Sequence, residues 1–299
     1  MAHEEVVHKS VLVEEVLTYL DPQPGKTYLD VTFGVGGHSR AILQANPDTR
    51  VIALDWDQQA LDVYGERLVE EFGPERVRLL WGNFALLYKI LKNAGIKSVD
   101  GILADFGTSQ NQIFQKDGFS VYRDTLLDMR MSPSHQKITA AELLNKATEE
   151  KLREIFYEYG QERYAPQIAR AIVEYRAQKV IKTTGQLADL IEKAAPAKAK
   201  KRIHPATQVF QALRIYINKE LENITSFLSA AIPALNPGGN LVCISFHSLE
   251  DRLVKQFFKT KEQEGMLTIL TPDVVTASED ELKRNPSARS ACLRAAKKR

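Results

Sequence analysis

Cysteine is nearly absent: Cys243 and Cys292 are the only two in 299 residues, too few for a disulfide framework or a four-cysteine zinc site. That scarcity fits a reducing compartment, and the chain reads as cytoplasmic. Long apolar runs are also missing. The longest, Leu241–Ile244 and Phe227–Leu235, fall well short of the ~20 residues that a membrane-spanning helix needs. Met1–Ser10 carries two Glu and no apolar h-region, so no secretory signal is expected. With 16 Gly and 12 Pro, the composition excludes collagenous and low-complexity classes. Charge of one sign is not in excess either. Lys+Arg 40 against Asp+Glu 38 leaves a net charge of +2, so a polyanion would have to be met by a local basic patch, because the field of the whole molecule is weak.

What is present is a repeating pattern of β-branched runs and helix-length segments. Tyr28–Thr32, Val51–Asp55, Val77–Trp81 and Val99–Asp105 read as strands, with Ser39–Gln44, Gln58–Glu71 and Leu86–Ala94 as the helices between them. This spacing predicts βαβ units and therefore an α/β, doubly wound, Rossmann-like parallel sheet. From about Thr108 to Pro205 the strand signal stops and capped helical periods take over, including a Thr-x-x-Gln box at Thr183–Gln186. The expected organisation is a first part of the sheet domain over 1–108, an inserted all-helical domain over 109–205 that recognises substrate, and a completing part over 206–299. That last part should hold a long helix (Ala206–Leu235), a turn at Asn236–Gly239, a strand at Asn240–Phe246 and a basic tail, Lys283–Arg299. The tail and Lys198–Arg202 are each either a solvated face or a polyanion contact.

The first strand runs into Phe33-Gly34-Val35-Gly36-Gly37-His38 and the second ends at Asp55. Glycines at a strand's carboxyl end let the backbone approach a ligand, and an acid ~20 residues later can accept from the hydroxyls of an adenosine ribose. The dinucleotide pattern Gly-x-Gly-x-x-Gly is broken by Arg40, and Asp30-x-x-x-Gly34-x-Gly36 is similar to the first motif of S-adenosylmethionine-dependent methyltransferases. Phe84, after the third strand, serves either as an adenine wall or as core. Asp105-Phe106-Gly107, after the fourth, places an acid where the sulfonium methyl would point, and a capping or buried Asp is its structural alternative.

Several long strings carry a more specific resemblance: Thr32-Phe33-Gly34-Val35-Gly36-Gly37-His38-Ser39, Gly118-Phe119-Ser120, Leu127-Asp128-Met129-Arg130-Met131, His204-Pro205-Ala206-Thr207, Ile244-Ser245-Phe246-His247-Ser248-Leu249-Glu250-Asp251-Arg252 and Asn285-Pro286-Ser287-Ala288-Arg289-Ser290. In these, nearly end to end, the chain resembles the bacterial small-subunit rRNA (cytosine-N4)-methyltransferases, the MraW or RsmH family. The resemblance implies a methyltransferase sheet with a helical insertion, S-adenosyl-L-methionine as cofactor, and small-subunit rRNA or the small ribosomal subunit as partner. It implies cofactor contacts at Gly36, Gly37, His38, Asp55, Phe84, Asp105 and Gln112. The chain departs from the family around Ser109–Phe114, where Ser-Ser-Pro-Gln-Leu-Asp is usual, and at Gln161 and Gln208.

The expected reaction is in-line transfer of a methyl group to the N4 of a cytidine, with Asp105 as the catalytic group that holds the amine and takes its proton. A thiolate mechanism is disfavoured, since neither cysteine lies beside a base. His247 and Ser248, after the last long strand, and Arg130 and Arg214 are the expected substrate contacts, with Tyr122 and Tyr164 as stacking rings. No metal is required. The competing readings are a methyltransferase acting on a protein or small molecule and a non-catalytic RNA-binding assembly factor.

Overall fold

The computed structural model describes residues 9–107, 116–133, 136–195 and 204–299. It divides into two compact units, Met1–Gly107 with Leu221–Arg299, and Thr108–Glu220.

The first unit is built on one sheet. Strands β1 (Thr27–Asp30), β2 (Arg50–Asp55), β3 (Val77–Trp81), β4 (Val99–Asp105) and β5 (Leu235–Ser245) are joined by β6 (Leu267–Ile269), β7 (Val275–Thr276) and β8 (Cys292–Lys298). The spatial order is β3-β2-β1-β4-β5-β8-β6, with β7 also on β8. The first five strands are mutually parallel, as the βαβ spacing requires, while β8 runs antiparallel to β5.

Alternation along each strand sends its residues to two buried faces. Leu29, Ile52, Leu54, Ile102, Leu241 and Cys243 belong to one core with α5 (Leu87–Asn93), α11 (Glu220–Ala234) and α12 (Ser248–Gln263). Tyr28, Val51, Ala53, Leu103, Val242 and Ile244 belong to the other, with α1 (Val13–Leu20), α2 (Gly37–Ala45) and α4 (Glu66–Phe72). The stretch expected as one helix from Gln58 is continuous but uneven: α3 (Gln58–Ala60) passes through a π turn, Leu61–Gly65, into α4. The turn expected at Asn236–Gly239 lies inside β5 as an irregularity, because pairing with β4 jumps from Val99↔Leu235 to Gly101↔Asn240.

Two expectations are corrected here. The basic tail is a solvated face only in part: Lys283, Arg284, Arg289, Lys297 and Arg299 are exposed, but its last residues form β8, between β5 and β6. Arg294 is 7% exposed, and its guanidinium donates to both carboxylate oxygens of Asp251 (2.6 and 3.1 Å). Lys298 Nζ donates to the carbonyls of Ile232 and Leu235. Positive charge here satisfies carbonyls and a carboxylate, so these residues do not face a polyanion. Arg294→Ala is expected to cost about 3 kcal/mol, the usual penalty for stranding one member of a buried pair, read as a lower urea midpoint at unchanged m-value.

The expected long helix, Ala206–Leu235, is also two helices. Lys219 adopts a left-handed φ of 53° and ends α10 (Thr207–Asn218) before α11 begins. The second unit therefore extends to Glu220, past the boundary expected at 205, because α10 packs on α7 (Glu149–Gly160). Gly160 permits that contact, since a Cβ there would stand 2.5 Å from the Gln208 carbonyl oxygen. The family departures at Gln161 and Gln208 both fall at this packing point. The remaining helices are α6 (Ala140–Lys146), α8 (Ala165–Arg176) and α9 (Thr184–Ala194). They close a separate core around Leu144, Leu152, Phe156, Ile168 and Leu213. The capping box expected at Thr183 and Gln186 is formed, and a second joins Thr139 to Glu142.

Candidate active site

Because β1 to β5 run parallel, their carboxyl ends lie along one edge of the sheet, and β1 and β4 are neighbours from which the chain departs in opposite directions. Such a switch point opens a crevice at the carboxyl ends. The loops leaving these strands carry Gly34–His38, Asp55, Asn83–Phe84, Asp105 and His247. The structure thus collects on one edge six of the seven residues that the resemblance implied for the cofactor; Gln112 lies outside the described residues.

The glycine-rich turn is shaped from both sides. Gly34 and Gly36 have φ of 56° and 81°, in the left-handed region that glycine tolerates. A Cβ on Gly36 would lie 2.7 Å from the Phe33 ring, and one on Gly37 would collide with the Ser10 side chain. Asp55 fixes the turn: its Oδ2 accepts from the Gly34 N–H (2.8 Å) and its Oδ1 from the Asp57 N–H (2.8 Å). Each oxygen keeps a further lone pair. Burial pushes the Asp55 carboxyl up to about 6, against the two N–H bonds that lower it.

Asp30, the first acid of the turn motif, is turned inward. It is 1% exposed and accepts from the Thr32 N–H and from Ser39 Oγ. Burial raises its pKa, while His38 and these hydrogen bonds lower it. Asp30 therefore braces the turn.

Asp105 differs from the other two acids. Its N–H donates to Thr32 Oγ1 at 2.7 Å, which ties the end of β4 to the end of β1. Its side chain is 21% exposed, with Oδ2 3.8 Å from His38 Nδ1. Oδ1 is fully covered and has no hydrogen-bond partner among the described residues. A buried carboxylate oxygen without a donor is costly, and burial, with help from Asp30 and Glu250, drives this carboxyl up to about 6 although His38 lowers it. His38 is 5% exposed, and its Nε2 lies 2.8 Å from the Val11 carbonyl oxygen. A carbonyl only accepts, so Nε2 carries the hydrogen and Nδ1 is the nitrogen turned to Asp105.

Phe84 sits in a short 3-10 turn, Phe84–Leu86, capped by the Asn83 side chain. Its ring meets Phe106 and Phe227 at centroid distances of 5.9 and 5.7 Å, so it is at once part of the core and half-buried at the edge. His247 caps α12 by accepting from the Glu250 N–H, and Glu250, 1% exposed, accepts in return from the Phe246 N–H. Ser248 is the exposed first residue of that helix.

In the helical unit, Arg130 donates Nε and Nη2 to the two oxygens of Asp128 (2.6 and 2.8 Å), which holds the Asp128 carboxyl below its usual range. Arg214 makes the same fork on Glu220 (2.9 and 3.0 Å). Both guanidinium groups are thus engaged by carboxylates, which sequence alone did not reveal. Sequence reasoning also missed Asn218, whose side chain bridges Met131 and Met129, and the Thr32 hydroxyl. Only the latter lies in a string that had drawn attention.

Known proteins place the chain. A protein of Syntrophotalea carbinolica named "Ribosomal RNA small subunit methyltransferase H" is 46% identical, over 99% of each chain. Proteins of the same name from Cyanothece sp. (47%, 98% of this chain and 95% of the relative) and Sulfurihydrogenibium sp. (45%, 97% and 98%) are similar throughout. The profile of the MraW methylase family matches residues 5–299. With relatives this similar over nearly the full length, and with two of its characteristic strings, Thr32–Ser39 and Ile244–Arg252, at the carboxyl ends of β1 and β5, the chain belongs to the MraW methylase family.

Proposed function

We propose that this protein methylates the exocyclic N4 of a cytidine in the decoding region of small-subunit rRNA, with S-adenosyl-L-methionine as methyl donor. The observation that carries the chemistry is the partly exposed Asp105 carboxylate beside His38, whose covered Oδ1 has no hydrogen-bond partner among the described residues; the substrate rests on the names and family of the close relatives. When bound, the sulfonium supplies an electrophilic methyl group. Gly36 and Gly37 would bring backbone to the donor, Asp55 would accept from its ribose hydroxyls through its free lone pairs, and the half-buried face of Phe84 would line its adenine. His38 would orient Asp105, and Gln112 is proposed as a further contact.

The N4 lone pair of cytosine is delocalised into the ring, so attack needs a group that draws on the amine hydrogens as the new bond forms. The Asp105 carboxylate, whose side chain is 21% exposed, is suited to that part. It would accept an N4–H in the ground state and take the proton as N4–CH3 forms and S–CH3 breaks. His247 and Ser248 would meet the RNA at the same edge. The engaged Arg130 and Arg214 would shape the helical insertion for recognition, their forks being held by carboxylates.

The test is transfer of labelled methyl to unmodified small subunits and to free small-subunit rRNA, followed by nucleoside analysis. Label in N4-methylcytidine is expected; label in neither RNA would sink the assignment. Cys243 is fully buried and its thiol is pushed far up by that burial, so its thiolate would have no part in the reaction. Cys243→Ala should retain transfer to within about twofold while losing about 1 kcal/mol of core packing, checked by the same assay and by thermal unfolding.

A further inference from the structure

Two of the characteristic strings have no part in the chemistry above, and they meet in the helical unit. Tyr122 follows Gly118-Phe119-Ser120, and its ring lies 5.8 Å from that of His204, at 85°. His204, first residue of the other string, is oriented by accepting the Ala206 N–H on Nδ1 at 3.1 Å. Tyr122 is nonetheless 79% exposed, more than any other large apolar side chain described. It adds little to the core of its own unit.

The loop that carries this ring is locked. Gly118 N–H donates to Thr125 Oγ1 (3.0 Å), Thr125 N–H to Thr184 Oγ1 (3.0 Å), and Gly185 N–H to Asp124 Oδ1 (2.9 Å). Thr184 Oγ1 donates in turn to the Arg123 carbonyl. Gly118 sits at φ +95° with no room for a Cβ, which would stand 2.7 Å from the Met129 nitrogen. An exposed ring on such a loop is presented from fixed backbone, so little backbone freedom remains to be lost when a partner arrives. Tyr164, the other ring that the sequence suggested, packs against the helical core.

We propose that Tyr122 is a stacking platform for an unpaired nucleobase of the substrate, with His204 as its fixed brace and the exposed Arg123 beside it for the backbone phosphates. Aromatic stacking suits an unpaired RNA base because every base offers a π-face. The inference rests on the RNA reading above.

Three variants test it. Tyr122→Ala should raise KM for the small-subunit substrate about tenfold, with KM for S-adenosyl-L-methionine and the thermal midpoint unchanged, and Tyr122→Phe should behave as the parent. In Tyr122→Trp, the indole fluorescence should be quenched by a single-stranded oligoribonucleotide. A KM within twofold of the parent for Tyr122→Ala, or a phenylalanine variant as impaired as the alanine one, would overturn the platform. Failure of the RNA reading is separable: it appears as no methyl transfer by the unaltered protein, whereas absence of quenching in Tyr122→Trp overturns the platform without reference to catalysis.

Discussion

Asp105→Asn is expected to slow methyl transfer by roughly two to three orders of magnitude and, above neutral pH, to make the protein more stable. The two effects share one cause. The carboxylate sits with a covered, unpartnered oxygen at the end of β4, and burial lifts its folded-state pKa to about 6, against about 3.9 in an unfolded chain. A group that holds its proton more tightly when folded contributes stability that is fully present below about pH 4 and is lost as pH rises through about 6. Two pK units correspond to roughly 3 kcal/mol. Asparagine removes that pH-dependent loss, so urea midpoints of parent and variant should coincide near pH 4 and separate in favour of the variant by pH 8. Asp55, lifted to the same region by the same burial, keeps a similar dependence in both proteins and serves as an internal control. In the parent, methyl transfer should fall as pH drops through about 6, because the proposed transfer needs Asp105 ionised to take the amine proton. An Asp105→Asn enzyme with undiminished kcat would remove Asp105 from the reaction.

The second large effect is expected far from the glycine-rich turn. Asn218 is 1% exposed, and its side chain accepts from the Met131 N–H (2.8 Å) and donates to the Met129 and Arg214 carbonyls (2.9 and 2.8 Å). It thereby holds Met129 at φ 63°, a conformation that non-glycine residues seldom adopt without support. Asn218→Ala leaves buried backbone groups without this partner and is expected to cost about 3 kcal/mol. The helical unit has its own core, so the loss should appear as an early, separate unfolding transition. Hydrogen exchange should place it in α6 to α10, with β1 to β5 still protected. A single cooperative transition shifted as a whole would show that the two cores unfold together.

How much of this was readable beforehand follows from the range over which each signal acts. The strands β1 to β4 were legible within a residue or two because alternation and flanking turns are local, and so was the capping box at Thr183. The collection of Gly36, Asp55 and Asp105 on one edge followed from chain direction in a parallel sheet. What sequence could not supply was pairing at long separation. Nothing in the run from Lys283 to Arg299 announces that Arg294 will find Asp251, and a basic tail and a basic buried strand have the same composition. Arg130 and Arg214 stand out in the sequence by charge alone, and the carboxylates that claim them depend on loop conformation. Asp30 and Asp105 look alike as acids ending adjacent strands; the Thr32 N–H and the Ser39 hydroxyl, which donate to Asp30 and not to Asp105, separate a brace from an unpartnered oxygen.

The division of the sheet unit into Met1–Gly107 and Leu221–Arg299 bears on how the chain finds its fold. Strands β4 and β5 are neighbours, yet the whole helical unit intervenes between them in the chain. Were that segment still a flexible coil, bringing the two strands together would require closing a loop of more than a hundred residues. Once the helices have assembled on their own core, most of that loop is already ordered, which lowers the closure entropy. Helical contacts are local and form quickly, so the insertion would assemble first. A weakened insertion should then delay β4–β5 pairing, so the burden of a lesson learned in one unit is a folding rate measured in the other.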